Sequence, residues 1–106
     1  MFARSVAIHL KPNTLSEFRL LFDKEVLPVL RKQTGFQDEI TFLTRSGTDV
    51  VAISLWDTKE HAEAYSTTGY PAVLKTLNKV IDGNPKVRTS NVISSTLHPP
   101  AAVAAD

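Results

Sequence analysis

The sequence predicts an α+β domain of the ferredoxin-like type, βαββαβ with a four-stranded antiparallel sheet. Three observations carry this reading: an alternating stretch at the start, two helical segments each opened by a capping signal, and two β-branched and aromatic runs joined by a short turn. The chain has 106 residues, which is the size of one domain with one core.

From Phe2 to Leu10 the side chains alternate, with Phe2, Val6, Ile8 and Leu10 on one side and Ala3, Ser5, Ala7 and His9 on the other. That period of two is the mark of a half-buried strand. Arg4 falls on the apolar side, where its stem can carry the charge to solvent. Lys11-Pro12-Asn13 makes a turn, and Thr14-Leu15-Ser16-Glu17 matches a capping box that opens a helix. Leu15, Phe18, Phe22, Val26 and Val29, flanked by Leu21 and Leu30, then form an apolar stripe. Pro28 should kink this helix, and Gly35 suits the left-handed position that follows a helix end.

Phe36 to Arg45 and Val50 to Trp56 read as strands of a hairpin turned by Ser46-Gly47-Thr48-Asp49. Asp57-Thr58-Lys59-Glu60 is a second capping signal, with Asp57 as the cap, for a helix carrying Ala62, Ala64 and Tyr65. Thr67-Thr68-Gly69 interrupts it. Pro71 begins a further helical piece with Val73, Leu74, Leu77, Val80 and Ile81, ending at Asp82-Gly83-Asn84-Pro85. A last strand is expected from Lys86 to about Leu97, with Val87, Thr89 and Asn91 on the helix-facing side. The domain therefore spans 1–98, and 99–106 reads as a flexible tail.

Both helices of this topology cover one sheet face. The other face carries Ala3, Ser5, Ala7 and His9 together with Val51, Ile53, Leu55 and Val92, a mixture too apolar for water. Packing against the same face of a second copy covers it, so a homodimer is expected.

Apolar residues make up 42% and charged residues 22%, which is ordinary for a folded domain. Basic residues number 12 against 11 acids and are scattered, so no nucleic-acid partner is expected. Cysteine is absent, which excludes disulfides, thiolate nucleophiles and thiolate metal sites and fits a reducing compartment. With neither a signal-peptide pattern nor an apolar run of membrane-spanning length, the expectation is a cytoplasmic protein without a membrane partner.

Three segments resemble the antibiotic biosynthesis monooxygenase family of dimeric α/β barrels: Phe22-Asp23-Lys24-Glu25-Val26-Leu27-Pro28-Val29-Leu30-Arg31, Thr34-Gly35-Phe36, and Ser54-Leu55-Trp56-Asp57-Thr58-Lys59-Glu60-His61-Ala62-Glu63-Ala64-Tyr65. The resemblance runs to about Leu97. It implies a ligand cleft between sheet and helices in each subunit, in a family that includes cofactor-free oxygenases of aromatic polyketides and quinols, haem degraders, isomerases and proteins without known activity. The haem degraders are similar in carrying an asparagine on strand one, a tryptophan in the second helix and a histidine some ten residues later. This sequence has Val6, Tyr65 and Lys75 there, and a protonated lysine is a poor iron ligand.

Trp56, Phe22 and Tyr70 are candidate substrate-binding walls, since flat apolar rings suit an aromatic ligand. The same side chains would serve equally well as core. His61, Asn91 and Tyr65 are the candidate catalytic residues. His61 is the base by virtue of its near-neutral pKa, though a solvated position just past a helix cap is the simpler reading. Asn91 could hold a substrate oxygen, or be a satisfied strand amide. Lys75 and Arg88 could neutralise an anion or simply be solvated. No pair among His9, His61 and His98 has metal-ligand spacing, so no metal is expected. Without a P-loop, dinucleotide fingerprint or nucleophile elbow, no cofactor is expected either. Two functions remain open: a cofactor-independent monooxygenase acting on a small aromatic or quinol-like substrate, and a non-catalytic small-molecule-binding or dimerisation module.

Overall fold

The sequence-predicted elements occur in the predicted order in a computed structural model that describes residues 1–97. They are β1 (Phe2–His9), α1 (Leu15–Leu21), a π-helical turn (Phe22–Val26), α2 (Leu27–Arg31), β2 (Phe36–Leu43), β3 (Asp49–Trp56), α3 (Lys59–Thr68), α4 (Tyr70–Leu77) and β4 (Lys86–Asn91). The sheet order is β2-β3-β1-β4 and every pairing is antiparallel. This is the ferredoxin-like arrangement, with the long helical segment and the α3–α4 pair on one face. The predicted tail, 99–106, and His98 lie outside the described residues.

Alternation in β1 survives in the fold. Phe2, Val6 and Ile8 are buried beneath the helices while Ala7 and His9 are exposed. Arg4 is the exception to its sequence reading: it is 5% exposed rather than reaching solvent. Leu10 bridges Ile81, and the Asp82 amide donates to the His9 carbonyl, which ties the end of β1 to the segment after α4.

The long helix buries Phe18, Phe22, Val26 and Leu30, a repeat of four. On a 3.6-residue helix such a repeat drifts by roughly 40° per step. The π-helical turn removes part of this drift, because the Leu27 amide reaches five residues back to the Phe22 carbonyl. Pro28, one residue later, lacks an amide and would crowd the carbonyl four residues before it. The predicted kink is thus taken up as a π turn, which keeps the stripe over the sheet.

Both capping assignments need correction. The Thr14 hydroxyl donates to the Lys11 carbonyl at 2.7 Å and makes no cap bond to the helix. At the second helix the cap is Thr58, not Asp57: the Thr58 hydroxyl accepts from the His61 amide at 3.1 Å. Asp57 is engaged by the His61 side chain instead. Gly35 does adopt the left-handed conformation (φ 84°), but three residues beyond the Lys32 C-cap of α2.

β4 ends at Asn91 rather than near Leu97. Its partner β1 begins at Phe2, paired with Asn91, and the Val92 amide takes the Met1 carbonyl. The ladder between β1 and β4 ends at the Phe2–Asn91 pair, and the strand ends with it. In β2 a bulge between Phe36 and Asp38 resets the alternation, so Ile40 and Phe42 point away from the helices while Glu39 and Thr41 point under them. Register follows pairing: Glu39 aligns with Ser54, Ser54 with Arg4, and Arg4 with Thr89. One polar row therefore crosses the whole helix-covered face of the sheet.

Candidate functional site

Trp56 closes the core at the end of β3. It is 0% exposed, its indole N–H donates to the Ser54 hydroxyl at 2.8 Å, and its ring stacks on Tyr65 with centroids 5.0 Å apart. Phe36 meets it edge-on. Tyr65, from α3, also faces Tyr70, whose centroid lies 6.1 Å away. These rings fill the space that the sequence reserved for substrate walls: the pocket beside Arg4, Phe22, Glu39, Ser54 and Tyr65 holds about 30 Å³, room for no more than a couple of waters.

The roomier space lies next to it. A cleft of about 370 Å³ opens between the long helix and strands β2 and β3, within the size range of small-ligand sites. Leu15, Phe18, Phe22, Leu27, Leu43 and Val50 supply its apolar walls, and Arg19, Asp23, Glu39 and Thr41 its polar groups. Phe22 and Glu39 border both this cleft and the small pocket, so the cleft leads inward to the polar row.

Glu39 carries the unusual electrostatics. Burial pushes its carboxyl above the ordinary range, the hydrogen bond from Thr41 draws it down, and the charge of Asp23 raises it again. The Thr41 hydroxyl donates to Glu39 Oε2 at 2.7 Å. A carboxylate held part-way out of water, with its base strength raised, is suited to accept a proton. Tyr65 is the opposite case: burial pushes its phenol up to about 12, against the pull of Arg4. It remains a hydrogen-bond donor at any ordinary pH.

The candidate residues named from sequence do not assemble into one site. Phe22 lines the cleft and Tyr65 the small pocket, while Trp56 borders neither. Tyr70 is half-buried against Tyr65 and Arg4. His61 is at the start of α3, with Nδ1 2.7 Å from Asp57 Oδ1, and its hydrogen bond holds that carboxyl below the usual range. Gly35 packs on this pair so closely that a Cβ would collide with Asp57 Oδ1 and His61 Nδ1. The pair thus fastens the loop before β2 to α3, away from the cleft. Asn91 lies on the helix-facing side of β4, opposite Phe2, and is exposed. Lys75 and Arg88 are exposed as well. Among the described residues, no three His, Asp or Glu side chains gather where they could hold a metal ion.

Glu39 and Arg4 were missed for related reasons. The parity of Glu39 with Thr41 was readable in β2, but the bulge decides which way that polar pair faces. Arg4 was placed on the correct side, and its burial follows only once Tyr65 and Tyr70 arrive from the helices above.

The architecture is a split βαβ domain with a ligand-sized cleft between helices and sheet. No family model matches the sequence, and no curated protein matches it. Solved structures match its fold throughout. A protein of unknown function from Nitrosomonas europaea superposes with a TM-score of 0.76 at 13% identity, covering 92% of this chain and 93% of that one. A monooxygenase from the ActVA-Orf6 gene of Streptomyces coelicolor, in complex with nanaomycin D, gives 0.75 at 19% identity, with 92% and 91% covered. SnoaB, a cofactor-independent oxygenase from Streptomyces nogalater, gives 0.72 at 14% identity, with 92% and 97% covered. The chain thus has the fold of the antibiotic biosynthesis monooxygenase structures.

Proposed function

We propose that this protein is a cofactor-independent monooxygenase acting on a small aromatic or quinol-like substrate held in the cleft between the long helix and β2–β3. The observation that carries the reading is the cleft itself, in which Glu39, a half-buried carboxylate with raised proton affinity, sits among apolar walls beside Arg19, Asp23 and Thr41. The two structural neighbours named as oxygenases agree with it.

For an anthrone-type substrate, the overall change turns one ring methylene and one dioxygen into one carbonyl and one water. Glu39 takes a proton from the activated C–H or phenolic O–H, and the electron pair of that bond stays on the substrate. The carbanion or phenolate so formed supplies the electrons to dioxygen; one oxygen atom ends in the new carbonyl, and the other leaves as water with both methylene hydrogens. Apolar walls keep bulk water from the anion. Arg19, which lines the cleft with Glu39, is the donor to the developing oxyanion, while Tyr65 lines the small pocket behind it. In this reading Phe22 remains a substrate wall, Trp56 and Tyr70 support the rings behind it, and His61 and Asn91 have no part in the chemistry.

Oxygen uptake by the purified protein with anthrone-type and quinol substrates tests the reading. Turnover should fall by roughly a hundredfold or more in Glu39→Gln, as expected for loss of a general base, and persist in His61→Ala. Absence of oxygen consumption with every such substrate would sink it. The second reading, a non-catalytic binding or dimerisation module, is favoured by one observation, the filling of the Trp56–Tyr65 region by its own rings. Ligand binding in the cleft without oxygen uptake would select it.

The face of the sheet opposite the helices supports a homodimer in either reading. Val51, Ile53 and Leu55 lie there beside Ala3, Ser5 and Ala7, and Ile40 and Phe42 join them, 41% and 51% exposed. A second copy of the same face is the proposed cover. No helix among the described residues is long and apolar enough to cross a membrane, and the cysteine-free sequence suits the proposed cytoplasmic location.

A further inference from the structure

We propose that Arg4 forms an anion subsite, separate from the cleft, which takes a one-ring carboxylic acid between β1, β4 and α3. The inference stands whether or not the cleft turns over a substrate.

Arg4 is 5% exposed, and no carboxylate comes within 4 Å of its side chain among the described residues. Its guanidinium lies 3.9 Å from the Tyr70 ring centroid and 5.3 Å from that of Tyr65. Cation–π attraction to two rings recovers only part of the cost of taking an ion out of water. Burial raises the pKa of the Tyr70 phenol and the charge of Arg4 draws it down, but a neutral phenol cannot balance a guanidinium charge. The planar N–H fork can pair with a charged acceptor, which a carboxylate or a phosphate matches with two oxygens, and the apolar side chains beside Arg4 favour the carboxylate of a ring acid.

Space for one exists beside Arg4. A cavity of about 240 Å³ is bordered by Arg4, Phe2, Ala62, Glu63, Ser66, Val87 and Thr89. It falls below the volume of drug-sized sites, so it selects a single ring with a short acidic group. Phe2, Ala62 and Val87 supply apolar contact for the ring. Thr89 stands directly across from Arg4 in the sheet and offers a hydroxyl to the same carboxylate. The Ser66 hydroxyl is already committed to the Glu63 carbonyl at 2.6 Å. Glu63 is exposed, and its charge at the cavity rim opposes an anion and weakens the site without closing it.

The test is a titration of the isotope-labelled full chain with sodium benzoate, and separately with benzamide, following the amide resonances of Phe2, Ser66, Val87 and Thr89. Benzoate should bind saturably and benzamide about tenfold more weakly or worse, since it lacks the charge-assisted pair. Glu63→Gln should tighten benzoate several-fold. Because loss of Arg4 also removes packing on both tyrosines, the decisive variant is Val87→Trp, which fills the cavity from an exposed edge strand and should abolish binding with the fold retained. Equal binding of benzamide, the absence of saturable shifts with benzoate, or unchanged binding in Val87→Trp would each overturn the proposal.

Discussion

If Glu39 is the base proposed above, function and stability pull apart at this residue. Its folded-state pKa is raised above the ordinary 4.5, so between that value and the folded pKa the native state binds more protons than the unfolded chain. Stability contributed by the protonated form is therefore complete below the unfolded pKa and is lost as pH rises through the folded one. Glu39→Gln keeps an acceptor for Thr41 and removes the partly desolvated charge. It should raise the melting temperature at neutral pH, the gain vanishing below about pH 4.5; thermal unfolding across that range checks both sign and window. Gly35 is a second telling residue. With φ at 84° and no room for a Cβ beside Asp57 and His61, Gly35→Ala should cost at least about 1 kcal/mol in urea unfolding, and more if the Asp57–His61 pair is displaced.

At the scale of elements, local chemistry decides where helices begin and packing decides how they run. Thr58, not its acidic neighbour, caps α3 because Asp57 is occupied by His61. Thr58→Ala should then cost about 1 kcal/mol, whereas Thr14→Ala, which removes no cap bond, should cost less; paired denaturation curves distinguish the two. The π turn shows packing at work. A four-residue apolar repeat and a proline were both visible in the sequence, but together they specify a wide turn only when a sheet lies below to be covered. β4 makes the same point: its composition permits a strand to Leu97, and its ladder with β1 ends at Asn91.

For the whole molecule, the two faces of the sheet have different fates. The helix-covered face closes over the core and the polar row, while the opposite face gathers Ile40, Phe42, Val51, Ile53 and Leu55. If a second copy covers that face, Ile53→Glu, near its middle, should place a charge where the partner packs and shift the protein to monomers by sedimentation at micromolar concentration. An unchanged sedimentation coefficient for that variant would show that the apolar face is not the interface. The cleft and the Arg4 cavity lie on the helix side, so the substitution should leave benzoate binding near Arg4 intact.

The order of strands and helices, the two-sided character of β1 and β3, and the positions of the turns were all determined by the sequence alone. Each rests on a period of two or near 3.6, or on glycine and proline backbone preferences that act within a few residues. Phe22 and Tyr65 could be singled out for the same reason, as large rings on core-facing stripes. The site was decided only in three dimensions. A bulge turns Glu39 inward, two tyrosines arrive over Arg4, and Trp56 is sealed by the rings around it; each depends on neighbours distant in sequence, whose burial and charge set how strongly a side chain holds its proton or its partner.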